Sequence, residues 1–275
     1  MTQTKITSPS NPRVKQLRKL LTRQRERAQS GLFAAEGEDL VAAAAAAGRE
    51  PVFGLCVAEV DLPAPSSTAG ARGSIAQATS FEQVAPELLA SVSTLGSGTR
   101  AIGVYEQLFH ARAAGGLCVY LHGLGDPGNV GAVLRSALAF GASSVALGPG
   151  CADPHSPKAV RASMGAIFSV PLARVDDVAQ LPGERVALVA HAGEPLRQLA
   201  QALGRRAADG PQAVGEGAGA GAVTLLVGAE REGLPEGVVA ACDRVAHIPI
   251  ASESLNAAMA ATVALYEISS RVPKS

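Results

Sequence analysis

Val14, Leu17, Leu20 and Leu21 recur at the spacing of one helix face, behind Asn11 as an N-cap and Pro12 as a first helical residue. The run FAAEGEDLVAAAAAAG predicts a second helix closed by Gly48. Short strands are predicted over 52–57 and 73–76, with a Pro/Ser-rich turn region from Leu62 to Gly70 between them. A helix over 81–89 and a strand over 101–105 follow. Residues 1–106 read as a small mixed α/β domain, and 107–116, which lacks periodicity, as a linker. From Leu117 the pattern changes to apolar runs alternating with helical stretches: LCVYL, NVGAVLRSALAFG, SVALG, SPKAVRASMGA, VALVA, PLRQLAQALG, VTLLVG, VAHIPI and a last helix from about Ser254 to Arg271. This alternation predicts an α/β domain over 117–275, a mostly parallel sheet with helices on both faces. The GEGAGAGA stretch, Gly215 to Ala222, reads as a flexible loop ahead of the VTLLVG strand.

Composition narrows the classes. The chain is 47% hydrophobic and 17% charged, which fits a globular protein with a proper core. No apolar run approaches the roughly 18 residues of a membrane span, and the basic N-terminus has no apolar stretch behind it, so neither a membrane association nor a secretory signal is expected. Cys56, Cys118, Cys151 and Cys242 are far apart, and no two of the five histidines stand four residues apart. No metal site is expected, and a cytoplasmic location is. Net charge is zero, yet residues 1–30 hold eight cationic side chains against Glu26 alone, a local charge of +7. Such a segment is either a solvated helix face or a footprint for phosphates, with Arg13, Lys15, Arg18, Lys19 and Arg23 as candidate phosphate contacts. With only 3% aromatic residues, phosphate and shape contacts are favoured over base stacking.

Gly123, Gly125 and Gly128 form a G-x-G-x-x-G pattern after a strand and before a helix, the setting of a dinucleotide fingerprint. A Rossmann-type NAD(P)-dependent oxidoreductase is therefore one alternative. Two features oppose it. The end of the next strand carries Gly148 and Pro149 where an acidic residue should meet the ribose, and Pro127 removes an N–H from the turn that should cradle the pyrophosphate.

The stretches DPGNVGAVLRSALAFGASSV, LLVGAEREGLPEGVV and IPIASESLNAAMAATVALYE, in this order, resemble the three motifs of the SpoU, or TrmH-like, RNA 2′-O-ribose methyltransferases. The stretch NPRVKQLRKLLTRQRERAQSGLFAAEGEDLV resembles that family's RNA-binding N-terminal domain, so the resemblance covers nearly the whole chain. It implies a C-terminal domain closed by a deep trefoil knot, S-adenosylmethionine as cofactor, rRNA or tRNA as substrate, and a homodimer formed through the C-terminal domain. By position in the motifs it implies Asn129, Arg135, Glu230, Ser254 and Asn256 as catalytic residues. For the cofactor it implies Gly228, Ile248 and Leu255, with Ala190 and His191 at the end of the VALVA strand. A guanidinium is a poor base, so Arg135 is expected to clamp a phosphate and stabilise the forming alkoxide. Singly, Asn129 and Ser254 also read as helix caps, and Glu230 as a charge favouring the start of the following helix. The sequence departs from the family in having only Ala251, Ser252 and Glu253 between IPI and SLN, and in His122 where an Asp is usual. A non-catalytic RNA-binding protein of the same fold is the second alternative.

Overall fold

The computed structural model describes residues 5–57, 81–95, 98–208 and 222–271. The strand expected at 73–76, the turn region before it and the GEGAGAGA loop up to residue 221 lie outside the described residues. Residue contacts divide the chain into two compact units, Met1–Gln107 with Asp153–Ser169, and Leu108–Ala152 with Val170–Ser275.

The first unit is built on a sheet of β1 (Leu32–Glu36), β2 (Phe53–Cys56), β3 (Phe81–Gln83) and β4 (Ala101–Glu106), in the order β1-β4-β2-β3. β4 runs antiparallel to β1 and β2, while β2 and β3 are parallel. Helix α1 (Pro12–Thr22) begins as expected: the Asn11 side chain accepts from the Arg13 amide at 2.9 Å. Its face of Val14, Leu17, Leu20 and Leu21 is buried in one core with Leu55, Leu89, Ile102 and Val104. At Arg23 the chain turns into α2 (Gln24–Ser30), which Gly31 ends in the left-handed region.

Two expectations in this unit are corrected. FAAE is strand β1, not the opening of a helix, and only α3 (Glu38–Ala46) is helical. Gly37, at φ +108°, reverses the chain between them. Phe81–Gln83 is likewise a strand, and its helix, α4, runs from Pro86 to Val92. In both places pairing with a buried neighbouring strand overrides local helix propensity.

Charged groups are also buried here. Arg27, 5% exposed, donates from Nε to Asp153 Oδ2 at 2.8 Å and from Nη1 to the Leu20 carbonyl at 2.7 Å. Glu36 takes the Ser93 hydroxyl at 2.8 Å, the Thr94 amide at 2.7 Å and Arg161 Nη1 of α6 (Pro157–Ala162) at 3.2 Å. A buried carboxylate persists only when its lone pairs are filled this way.

The second unit holds a sheet of β5 (Leu117–Leu121), β6 (Ser144–Leu147), β7 (Leu172–Arg174), β8 (Glu184–Val189), β9 (Glu194–Pro195), β10 (Val223–Val227) and β11 (Arg244–His247). The order is β7-β6-β5-β10-β8-β11-β9, and each neighbouring pair is parallel. The short strands β7 and β9 and the short helix α8 (Glu236–Ala240) were not expected from the sequence; a few residues carry too little periodicity. On one face α5 (Pro127–Ala139) and α7 (Leu196–Ala208) pack against α9 (Ala257–Ser269). On the other, Cys118, Tyr120, Ala187 and Leu226 share a core with Leu181, Leu234, Val238 and Val239. Coverage of both faces explains why LCVYL and VTLLV are continuously apolar rather than alternating.

Residues 107–116, expected as a linker, are ordered. The Gln107 side chain donates to the Arg27 and Leu32 carbonyls of the first unit. From Leu108 onward the stretch lies with the second unit: His110 bridges to Ala173, its amide donating to Leu172 O at 2.7 Å, and Ala113 is buried.

Candidate active site

Strand order in the second unit reverses around β10, which fills the gap between β5 and β8. In an open parallel sheet such a place opens a crevice beyond the C-terminal strand ends. A cavity of about 620 Å³ lies there, reached by residues that follow β8, β10 and β11. Its apolar wall includes the buried Leu188, Val227, Leu234 and Ala257, with Ile248 and Leu255 beside them. Its exposed side carries Glu230, Arg231, Glu232, Glu253 and Ser254.

Gly228 decides the shape of the wall. A Cβ there would stand 2.1 Å from the Gly233 carbonyl carbon and 2.3 Å from the Leu234 nitrogen, so any side chain would push the backbone apart. The loop after it is closed by paired hydrogen bonds, Gly233 N to Ala229 O at 3.0 Å and Ala229 N to Gly233 O at 3.2 Å. Glu230, Arg231 and Glu232 are thereby held at its tip.

Beside the cavity, three predicted residues meet in a chain whose polarity is fixed from one end. Asn256 caps α9, its Oδ1 accepting from the Ala258 amide at 3.0 Å and the Met259 amide at 3.2 Å. With the oxygen committed to the cap, Nδ2 must donate outward, and it does so to Asn129 Oδ1 at 3.2 Å. Asn129 in turn presents its Nδ2 to Glu230 Oε1. Asn256 is therefore both helix cap and first link of the chain. Asn129 is not the cap of α5; Asp126 is, accepting from the Gly128 and Asn129 amides. Sequence reading missed Asp126, though its place directly before Pro127 is an N-cap signature.

The other predicted residues divide. Ala190, Gly228, Ile248, Leu255 and Ser254 line the cavity, whereas His191, one residue past Ala190, is exposed and does not. Arg135 is exposed on α5, six residues beyond Asn129, and makes no hydrogen bond or ion pair among the described residues. Six residues is just under two turns, which separates the two side chains along the helix. On α1 and α2 Lys15, Arg18, Lys19 and Arg23 are exposed, joined by Arg25, which was not singled out from the sequence. Arg13 is half-buried, paired with Glu82 at 2.5 Å and lying over the Phe53 ring. The cavity residues missed in the sequence, Arg231 and Glu253 among them, sit on loops whose approach only the fold creates.

The ends of β5 and β10 are tied together, His122 N donating to Val227 O at 2.9 Å. The Tyr120 hydroxyl lies 3.0 Å from His122 Nδ1, and burial, with Cys151 and Asp176 nearby, pushes this phenol up to about 12. Burial likewise raises the Cys118 and Cys151 thiols, and brings Cys56 and Cys242 to about 11, so none is activated as a nucleophile. The glycine pattern does not build a dinucleotide turn. The amides of Gly128 and Asn129, which a pyrophosphate would need at the start of α5, are taken by the Asp126 carboxylate. Among the described residues no group of three or more His, Cys, Asp and Glu is placed to hold a metal ion, and no helix is long and apolar enough to cross a membrane.

A parallel sheet with a cofactor-sized cavity at its switch point, edged by oriented polar groups, defines an α/β ligand-binding domain equipped for chemistry. Residues 116–266 match the SpoU rRNA Methylase family and residues 11–103 the MRM3-like substrate binding domain. The chain belongs to the SpoU rRNA methylase family. A Synechocystis protein named as an uncharacterized tRNA/rRNA methyltransferase is 31% identical across 95% of this chain and 92% of its own. A 23S rRNA uridine 2′-O-methyltransferase of Streptomyces viridochromogenes is 37% identical over 52% of this chain and 48% of its own length. Several curated relatives match in this second way, the chain spanning about half their length. Among solved structures, an AdoMet-bound rRNA methyltransferase from Sinorhizobium meliloti superposes with a TM-score of 0.75 at 27% identity, covering 96% of this chain and 97% of that one.

Proposed function

We propose that this protein transfers a methyl group from S-adenosylmethionine to a ribose 2′-hydroxyl of rRNA or tRNA. The observation that carries the reading is the Asn256–Asn129–Glu230 chain standing at the edge of the cavity. The cavity suits the cofactor: its volume lies within the usual range for organic ligands, and the glycine cradle at 228 lets backbone approach a ligand closely. Leu188, Val227, Ile248 and Leu255 would hold the adenosine part. When bound, the cofactor supplies a methyl group activated on a sulfonium sulfur.

The chain's own residues then have to place the hydroxyl and manage its proton. Asn129 occupies one oxygen of Glu230, leaving the second to accept the ribose hydroxyl hydrogen and aim the oxygen. Ser254 adds a hydroxyl to the same edge. Arg135, exposed and without an internal partner, is the phosphate clamp and the positive charge beside the forming alkoxide. The exposed cations of α1 and α2, Lys15, Arg18, Lys19 and Arg23, would capture RNA through its phosphates, and Arg13 would contribute from the half-buried edge of that face. We also read its compartment as the cytoplasm, where rRNA and tRNA would meet it. We further read 1–106 as the RNA-capturing domain and 117–275 as a trefoil-knotted methyltransferase domain. The support for the knot is the family match over residues 116–266 together with the three ordered motifs.

The test is to incubate the protein with labelled cofactor and RNA, then hydrolyse in alkali. A 2′-O-methyl group removes the hydroxyl that attacks the neighbouring phosphate, so label should persist in an alkali-resistant dinucleotide. Arg135→Ala should reduce incorporation about a hundredfold or more. Label released as a methylated base would refute ribose methylation, and full activity in Arg135→Ala would remove that residue from the mechanism.

The protein is also proposed to work as a homodimer through α5 and α9. These helices are pinned to each other by Ser136 and Thr262 at 2.6 Å and by the Phe140–Tyr266 ring contact. Their outer side nevertheless exposes Leu138, Met259, Val263 and Tyr266, with Met259 63% and Tyr266 59% accessible. An apolar patch of this kind on one continuous face is the mark of an interface. Met259→Glu combined with Tyr266→Glu should halve the mass measured by light scattering; an unchanged dimer would put the interface elsewhere.

A further inference from the structure

The apolar wall accounts for only part of a ligand that ends in an amino-acid head. Charged side chains reach the cavity from two separate loops. Glu230, Arg231 and Glu232 come from the hydrogen-bonded loop after β10, and Glu253 comes from the stretch between β11 and α9. Glu230 is engaged by Asn129. Arg231 is exposed and has no ion-pair partner among the described residues, although it stands between two glutamates in sequence. Only residues 251–253 separate Ile250 from Ser254, so the last of them, Glu253, is brought to the same cavity as both.

A methionine head carries a carboxylate and an ammonium on one carbon. A guanidinium on one loop and a carboxylate on the other match that pair of opposite charges, each through a charge-assisted hydrogen bond. From this arrangement, and resting on the cofactor reading above, we propose that Arg231 binds the carboxylate and Glu253 the ammonium of the cofactor's methionine head. The two side chains then decide whether a ligand bearing an amino-acid tail is held more tightly than adenosine alone.

Calorimetric titration with two probes separates this from a general effect on the cavity. S-adenosylhomocysteine carries the amino-acid head, and 5′-methylthioadenosine keeps the adenosine and sulfur without it. The wild type should bind the first at least about tenfold more tightly. Arg231→Ala and Glu253→Gln should each weaken S-adenosylhomocysteine about ten- to a hundredfold while leaving 5′-methylthioadenosine within about twofold. Retained binding of the second probe shows that the variant cavity is folded. Variants that hold S-adenosylhomocysteine like the wild type, or that lose both probes equally, overturn the assignment, as does a wild type that does not distinguish them. A wild type that binds neither probe would instead refute the cofactor reading itself.

Discussion

Asn129→Ala is expected to lower methyl transfer to RNA about a hundredfold or more while leaving S-adenosylhomocysteine binding within about twofold. The reason is the direction of the hydrogen bonds. The α9 cap commits the oxygen of Asn256, so its nitrogen meets the oxygen of Asn129, whose nitrogen in turn meets Glu230. Removing the middle link frees Glu230 at the loop tip without touching the apolar wall. Asn129→Asp makes the sharper comparison. It can still accept from Asn256 but can no longer donate, and it sets a second carboxylate against Glu230. Activity in Asn129→Asp should therefore be no better than in the alanine variant. If the aspartate variant keeps most of its turnover, the orienting role given to this chain is wrong.

Arg27→Ala should cost about 3–5 kcal/mol of stability, read from denaturant unfolding. Its guanidinium is nearly inaccessible, as is the Asp153 carboxylate it meets, and it also closes the end of α1 by donating to Leu20 O. Truncation leaves a buried anion and a carbonyl without their donor. Replacing both partners by apolar side chains, Arg27→Met with Asp153→Leu, should recover most of the loss, because two desolvated charges are removed together. A loss below about 1 kcal/mol would mean that solvent screens the pair and that it behaves as a surface ion pair.

The same residue shows where charge counting misleads. Arg27 contributes to the +7 of the first thirty residues, yet it faces inward, and Arg13 is engaged with Glu82 and Phe53. A tally of charges does not know which helix face is covered. The apolar spacing of Val14, Leu17, Leu20 and Leu21 did know, since burying that stripe is what holds α1 in place. In the same way the continuous runs LCVYL, VALVA and VTLLVG marked strands covered on both faces, and their alternation with helices predicted a parallel sheet.

Some local readings failed for want of context. FAAEGEDLVAAAAAAG is rich in helix formers throughout, but Ala34 and Ala35 pair in β1 with β4, a partner some seventy residues away. No window around Gly37 contains that partner.

What the sequence determined by itself was the set of elements long or periodic enough to declare their buried face, together with three ordered motifs. Those motifs nominated Asn129, Glu230 and Asn256 although more than a hundred residues separate the first from the other two. Only the tertiary structure decided that these three join in one hydrogen-bonded chain, that Arg135 and His191 stand outside it, and that Arg231 and Glu253 reach a common cavity. Periodicity records which side of an element is apolar. Which loop ends meet is fixed by strand order, and β10 enters between β5 and β8 only after the chain has built both of them.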